Sequence, residues 1–344
     1  MNVRRLAVAC VAAAVGAGTV PALADAGSSR VTRPLERVDG GSPQTKRAAA
    51  KRKVRRSATR KGRVVASAAR VDNRTKPVVF VHGLDAFGSA GNNCASTWGT
   101  MTNQLRAWGY TGTLSTVKYY HGDTNCSTSL DGYGSHATHY QRTDAHQYGS
   151  HDMDGDIRHL GYHLAWMIYN QYSSKGITVD LVGHSMGGLI ARYALWGNQT
   201  NHVDFPPYLY VEDVLTLGTP HGGSGYAGWC GWAYECNQMN TGSSFMTWLA
   251  ANAKNPQGDG GTDWTNMGSY DDGFVSETSA TNMSAAHKTR YFNMGIGHSD
   301  YMGDTSDVRN ADTEYNDNGG AFYTWYDSPH AVRWSDFALL YGSW

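Results

Sequence analysis

Apolar and polar positions divide the chain at Pro77. Beyond it, short β-rich runs alternate with stretches of helical period, the pattern of an α/β domain with a mostly parallel sheet. Pro77–Val81 is five apolar residues closed by His82-Gly83, which predicts a buried strand. Thr97–Trp108 carries Trp98, Met101, Leu105 and Trp108 at helical spacing, and Thr113–Tyr119 predicts a second strand. After a long polar loop, Tyr120–Gly155, the run Asp156–Tyr172 puts Ile157, Leu160, Leu164, Met167 and Ile168 on one helical side. Thr178–Val182 predicts a third buried strand and turns directly into a helix, Met186–Trp196. Strand Val211–Leu217, an aromatic excursion over 222–261, a weak strand at Trp264–Met267, a strand at Arg290–Met294 and a closing helix, Ala331–Tyr341, complete one domain, 77–344. No internal repeat is present.

Before Pro77 nothing has a periodic face. Residues 1–24 have the form of a secretory signal peptide: Arg4 and Arg5, the apolar stretch Leu6–Val20, and Ala22-Leu23-Ala24 as a small-x-small cleavage pattern. The Arg pair leaves the export route open between the general and the twin-arginine pathways. Residues 25–76 are rich in Arg, Lys, Ala and Ser with only isolated apolar side chains. Such a segment cannot offset its own ordering entropy, so it is expected to be a disordered basic pro-segment or linker.

The charge is as unevenly placed as the hydrophobicity. Of 344 residues, 29 are Lys or Arg and 29 are Asp or Glu, a formal net charge of zero. Eighteen of the basic residues but four of the acids precede Pro77, which leaves the domain at −14 with all 14 His. A body of that sign lacks the basic footprint of a nucleic-acid binder, and it is not held to anionic lipid by charge. Outside the leader, the four cysteines of an exported chain read as two disulfides. Three pairings are possible, and closeness in sequence favours Cys94–Cys126 and Cys230–Cys236.

The chemistry is carried by Thr178-Val179-Asp180-Leu181-Val182-Gly183-His184-Ser185-Met186-Gly187-Gly188, a G-x-S-x-G between a strand and a helix. Gly183 and Gly187 permit a tight turn without Cβ clashes. Ser185 then projects above the sheet, with the Met186 amide at the helix N-terminus, where developing negative charge is favoured.

With V-F-V-H-G-L, L-G-T-P-H-G-G-S and G-I-G-H added, the chain from about Pro77 onward resembles the secreted bacterial lipases and esterases of the α/β-hydrolase family, with their G-H-S-M-G-G elbow. The resemblance implies a minimal α/β-hydrolase fold, a mostly parallel sheet flanked by helices, here with an aromatic, disulfide-bearing excursion. It also implies a Ser–Asp–His order. Asp272, in a turn similar to the family's D-G-x-V, is then the orienting acid, with Asp271 as the adjacent alternative. His298, after the last strand, is the base. Leu84 and Met186 supply the oxyanion amides, and Phe87 lines the acyl pocket. His184, His221 and His330 are expected to be packing or capping residues, and His287 to precede its strand.

The implied activity is that of an extracellular carboxylic-ester hydrolase, a triacylglycerol lipase, needing no cofactor. Lipid or another ester is its substrate, and contact with a lipid interface is transient. An acyltransferase, a phospholipase or a polyester depolymerase on the same machinery stays open. The excursion, with Tyr226, Trp229, Trp232, Tyr234, Phe245, Met246 and Trp248, is either an acyl-binding wall or lid or a satellite core. A non-enzymatic alternative comes from the loop over 120–163. It holds seven His among six Asp, a composition that suits metal, although no complete ligand motif is present and no metal ligand is assigned.

Overall fold

The computed structural model describes residues 73–84, 91–135, 138–140, 155–230, 233–292, 295–305, 311–317 and 319–341. The leader, the basic segment up to residue 72, Phe87 and Trp232 lie outside the described residues. Among the described residues no helix is long and apolar enough to cross a membrane.

Among the described residues a nine-stranded sheet organises the domain. The centre is β1 (Val78–Val81) beside β4 (Val179–His184), all ten residues buried, paired in parallel with Phe80 opposite Val182. β-branched and aromatic side chains suit a strand covered on both faces. β2 (Leu114–Lys118) and the short β3 (Thr128–Ser129) extend one side in parallel. β5 (Val211–Leu217), β6 (Asp263–Ser269) and β7 (His287–Phe292) extend the other, also in parallel. β8 (Ala311–Asp317) and β9 (Tyr323–Ser328) then add two antiparallel strands at that edge.

Strand alternation decides which helices cover which face. Val79 and Val81 join a cluster with α2 (Ile157–Gln171) and α3 (Met186–Gln199), while Val78 and Phe80 join a second cluster with α1 (Cys94–Ala107) and α7 (Ala331–Leu340). The helix starts are read from their caps. Asn93 accepts from the amides of Ala95 and Ser96, and Asp156 from that of Arg158, satisfying donors that a helix leaves orphaned. The excursion folds into α4 (Tyr234–Met239) and α5 (Ser244–Asn252), and α6 (Glu277–Ala280) follows β6. Both favoured disulfides form, Cys94–Cys126 and Cys230–Cys236.

Four expectations change. The strand placed at Arg290–Met294 starts at His287, whose ring is buried, so His287 opens β7 and does not precede it. Lys288 and Arg290, on the less buried face, break the apolar run that a buried strand would show. The β8–β9 pair was not expected, because Ala311–Asp317 has few apolar residues. The loop before α2 contains β3. Finally, Arg74 and Lys76, grouped on composition with the disordered basic segment, belong to the folded domain. Arg74 bonds both carboxylate oxygens of Asp336 at 3.1 Å and the Trp108 carbonyl at 2.7 Å.

The buried Lys76 ammonium lies 3.0 Å from Asp180, 2.8 Å from Glu212 and 3.0 Å from Asp213. One cation therefore holds three carboxylates at the start of β4 and β5. Removing it leaves buried like charges facing one another, a loss of about 3–5 kcal/mol for a broken buried pair. Lys76→Met is expected to lower the unfolding free energy by about that amount in urea titrations, and a change below about 1 kcal/mol would show that the cluster does not need its cation.

Candidate active site

Three loops at the carboxyl ends of β4, β6 and β7 bring the predicted residues together. The elbow between β4 and α3 holds Ser185 at φ 53°, ψ −125°, a positive φ for a residue with a Cβ. Such a backbone costs on the order of 1–3 kcal/mol and persists only where its surroundings determine it. Gly183 and Gly187 are not themselves at positive φ. They provide room: a Cβ on Gly187 would sit 2.1 Å from the Val81 carbonyl oxygen, and one on Gly83 would sit 2.7 Å from the Ser185 Cβ. The His82-Gly83-Leu84 backbone and the elbow therefore touch directly.

His298 Nε2 lies 2.9 Å from Ser185 Oγ, and its Nδ1 lies 2.8 Å from Asp272 Oδ2. The geometry separates the two candidate acids. Asp272 faces the imidazole, whereas Asp271 accepts the Gly295 amide at 2.8 Å. Asp272 is held on its other oxygen by the amides of Phe274 and Val275, each at 2.9 Å. The Tyr301 hydroxyl donates to Oδ2 at 3.2 Å. Burial, then the charge of Asp272, keeps the Tyr301 phenol well above its usual pKa, so it remains a donor. Gly218, at φ 54° after β5, passes under this group, and a Cβ there would lie 3.0 Å from Asp272 Oδ2.

The other histidines are support. His184 Nε2 donates to the His298 carbonyl at 2.7 Å, fixing the backbone from which the imidazole projects. Burial, then the nearby His298, pushes the His184 pKa down to about 3, so its ring is neutral at ordinary pH. His221 contacts Thr216 Oγ1 at 3.1 Å and Arg192 at 3.3 Å, and burial followed by Arg192 holds its pKa well below the usual value. His330 stands at the start of α7, where its side chain makes no capping bond and pairs with Asp304 at 2.7 Å.

A network that sequence reasoning missed holds the strand end opposite Ser185. His82 Nε2 lies 2.9 Å from Asp123 Oδ2, and Tyr119 stacks on the His82 ring at 4.0 Å. The Tyr119 hydroxyl donates to the His82 carbonyl at 2.5 Å. Asp123 also accepts the amides of Tyr119, Tyr120 and Asn92. Burial alone would raise the Asp123 pKa, and the His82 contact and the amide donors bring it below the usual carboxylate value. The only sequence signal was its place after β2. Through His82 these contacts fix the direction of the Gly83 and Leu84 backbone.

Ser185 and His298 open into a cavity of about 1040 Å³ walled in part by Leu84, Tyr226, Met239, Phe274, Val275 and Met302. The excursion thus divides its aromatics and apolar residues. Tyr226, Ala227, Cys230 and Met239 line the cavity, Ala227 and Met239 also join the core with Phe245, Met246 and Leu249, and Trp248 packs on Trp196 at 4.6 Å. The excursion is stitched down as well: Tyr120 donates to Glu235 at 2.6 Å, and Gln238 bonds Asp156 at 2.7 Å.

The depressed His184 pKa sets a stability slope. The unfolded ring takes a proton below about 6.5, whereas the folded one resists it until about 3. The stability this ring contributes is therefore complete above the unfolded pKa and is lost as pH falls through that window. In urea unfolding between pH 6.5 and 5, wild type is expected to lose stability faster than His184→Asn, by up to about 1.4 kcal/mol per pH unit. Parallel pH profiles would contradict a neutral buried His184.

Residues 73–227 match the family described as the PGAP1-like alpha/beta domain. A search of curated proteins finds no match. Among solved structures, a Bacillus licheniformis lipase in propeptide form is 23% identical at a TM-score of 0.41, over 69% of this chain and 50% of that one. Phospholipase PlaB from Legionella pneumophila is 12% identical at 0.42, over 78% of this chain and 60% of that one. Aspergillus fumigatus lipase B is 15% identical at 0.39, over 65% of this chain and 44% of that one. The chain thus spans about half the length of the Bacillus protein. By its own sheet order and flanking helices the chain is an α/β protein with a mostly parallel sheet, and its residues 73–227 are similar to the PGAP1-like alpha/beta domain.

Proposed function

We propose that this chain is an exported carboxylic-ester hydrolase, a triacylglycerol lipase, acting through an acyl-enzyme on Ser185. One observation carries the reading: an unbroken line of contacts from Ser185 Oγ to His298 Nε2 at 2.9 Å and from His298 Nδ1 to Asp272 at 2.8 Å, at the mouth of the cavity.

In this reading His298 takes the Ser185 proton at Nε2 as Oγ attacks the ester carbonyl carbon. Asp272 accepts the Nδ1–H, holding the tautomer and stabilising the imidazolium. The oxyanion forms against the amides of Leu84 and Met186. Met186 is the first residue of α3, so its N–H has no intrahelical acceptor and lies at the positive end of the helix. The carbonyl re-forms, the C–O bond to the alcohol breaks, and His298 gives its proton to the departing oxygen. Water then repeats the sequence on the acyl-enzyme, releasing the acid and restoring Ser185.

The cavity supports an apolar acyl chain: Leu84, Met239, Phe274, Val275 and Met302 offer hydrocarbon and aromatic surface. Tyr226 and Phe274 are 56% and 45% exposed, and the Phe274 ring lies 5.4 Å from that of His298. An aromatic rim at the cavity mouth suits transient contact with a lipid interface. Export is supported by the two disulfides, which persist in oxidising compartments.

The test is hydrolysis of p-nitrophenyl esters from short to long acyl chains, soluble and emulsified. Activity is expected to rise toward long chains. Ser185→Ala is expected to lower kcat/KM by at least about 10³-fold, and Asp272→Asn to lower kcat by about 10²–10⁴-fold. Confinement to short soluble esters would make the protein an esterase and leave the aromatic rim as packing. Equal rates for wild type and Ser185→Ala would end the assignment.

A further inference from the structure

Away from Ser185, the loop before α2 meets the turn after α3 at three side chains that the proposed reaction does not use. His139, His202 and Asp204 present ligand atoms that all lie within 4.8 Å of one another. His139 Nδ1 is 3.1 Å from Asp204 Oδ2, and His202 Nδ1 is 3.6 Å from the same oxygen.

The backbone that delivers these groups is restrained on both sides. His139 has φ 58°, and Asn201, immediately before His202, has φ 53°. Neither is glycine, and such conformations persist only where their surroundings determine them. His139 Nε2 faces the Tyr193 hydroxyl at 3.0 Å, and His159 Nδ1 donates to the His139 carbonyl at 3.0 Å. Asp204 is fixed through its own carbonyl, which accepts Trp166 Nε1–H at 2.8 Å. An imidazole whose second nitrogen is held by a hydrogen-bond partner has the ring orientation and tautomer of a metal ligand. The His139 side chain is 2% exposed, while His202 and Asp204 are 32% and 33% exposed, so one side of the group opens to water.

We propose that His139, His202 and Asp204 bind one Zn²⁺ ion, with water completing the coordination. Two imidazole nitrogens and one carboxylate oxygen are donors that zinc takes at about 2.0–2.2 Å, and around a tetrahedral ion such atoms lie about 3.3 Å apart. The 3.1 and 3.6 Å separations bracket that value. Calcium, which takes six to eight oxygens, does not fit a set two-thirds nitrogen. The Asp204 amide donates to His202 Nδ1 at 3.3 Å, a long bond that ligation through this atom replaces. The other clustered set, Asp180, Glu212 and Asp213, already receives the Lys76 ammonium.

The ion is structural. His202 and Asp204 follow the C-terminal end of α3, and His139 contacts Tyr193 on that helix, whose opposite end begins beside Ser185. The ion would fasten the polar loop before α2 to the α3–β5 turn, giving the His-rich stretch a role separate from ester chemistry.

The test uses the whole disulfide-bonded chain, stripped with EDTA and titrated with ZnCl₂ by calorimetry, with CoCl₂ as a visible-absorption probe. One equivalent of Zn²⁺ is expected to bind, and the melting temperature to rise by at least about 3 °C at saturating metal. Co²⁺ is expected to give the intense bands of a tetrahedral site. His202→Ala and Asp204→Asn, at partly exposed positions, are each expected to weaken binding by at least about 10-fold. Melting of the metal-free variants checks that they remain folded. No saturable binding to wild type, or unchanged affinity in both folded variants, would overturn the site. Failure of the esterase assays would leave this result untouched, because its readout is metal binding.

Discussion

Everything at the candidate site depends on the backbone of one residue. Ser185 leaves the central strand β4 and enters α3 with a positive φ, placing its side chain at the carboxyl end of the sheet beside His298. A strain of that kind, about 1–3 kcal/mol, is tolerated because both flanking elements are buried and paired. β4 is bonded between β1 and β5 along its length, and α3 is buried along most of its surface. Gly83 and Gly187 follow from the same constraint, since a Cβ on either collides with the neighbouring chain. The elbow is therefore less a local motif than the place where three packed segments meet.

The groups around the imidazole are sorted by whether burial leaves them charged. Asp272 is surrounded by donors: two backbone amides, a phenol and the imidazole itself. The donors nearest the Ser185–His298–Asp272 contacts are ones that burial keeps protonated or neutral, Tyr301 and His184. Burial keeps Tyr301 from becoming a phenolate that would repel Asp272, and keeps His184 from becoming a second imidazolium beside His298. The His82–Asp123 pair uses the same logic on the opposite side, placing its charge where it orders backbone amides.

What could be read from sequence follows the range of the interactions concerned. Ser185 sits in a local motif whose context is itself local, a strand before and a helix after. Asp272 and His298 came from chain order and turn resemblance, and the structure brings both to Ser185. Asp271, the adjacent alternative, faces Gly295 instead. Tyr301, by contrast, carries no local pattern, and its contact with Asp272 exists only once two loops meet. Asp123 was one acid among many in a polar loop until its four donors were placed around it. Strand β7 was begun three residues late because His287, Lys288 and Thr289 form no apolar run, and β8 was missed because its sequence is largely polar, β9 going with it despite Tyr323, Trp325 and Tyr326. Cys94–Cys126 was legible despite its separation of 32 residues because few pairings were possible.

The central claim is that His298, backed by Asp272, makes Ser185 a nucleophile. Covalent labelling tests it without assuming any natural substrate. The chain would be treated with a fluorophosphonate, digested, and the modified residue located by mass spectrometry, in wild type and in His298→Ala. The account predicts a single phosphonyl adduct on the peptide containing Ser185, formed rapidly in wild type and slowed by at least about 10³-fold without the imidazole. An unlabelled Ser185, or labelling at the same rate in His298→Ala, would contradict it.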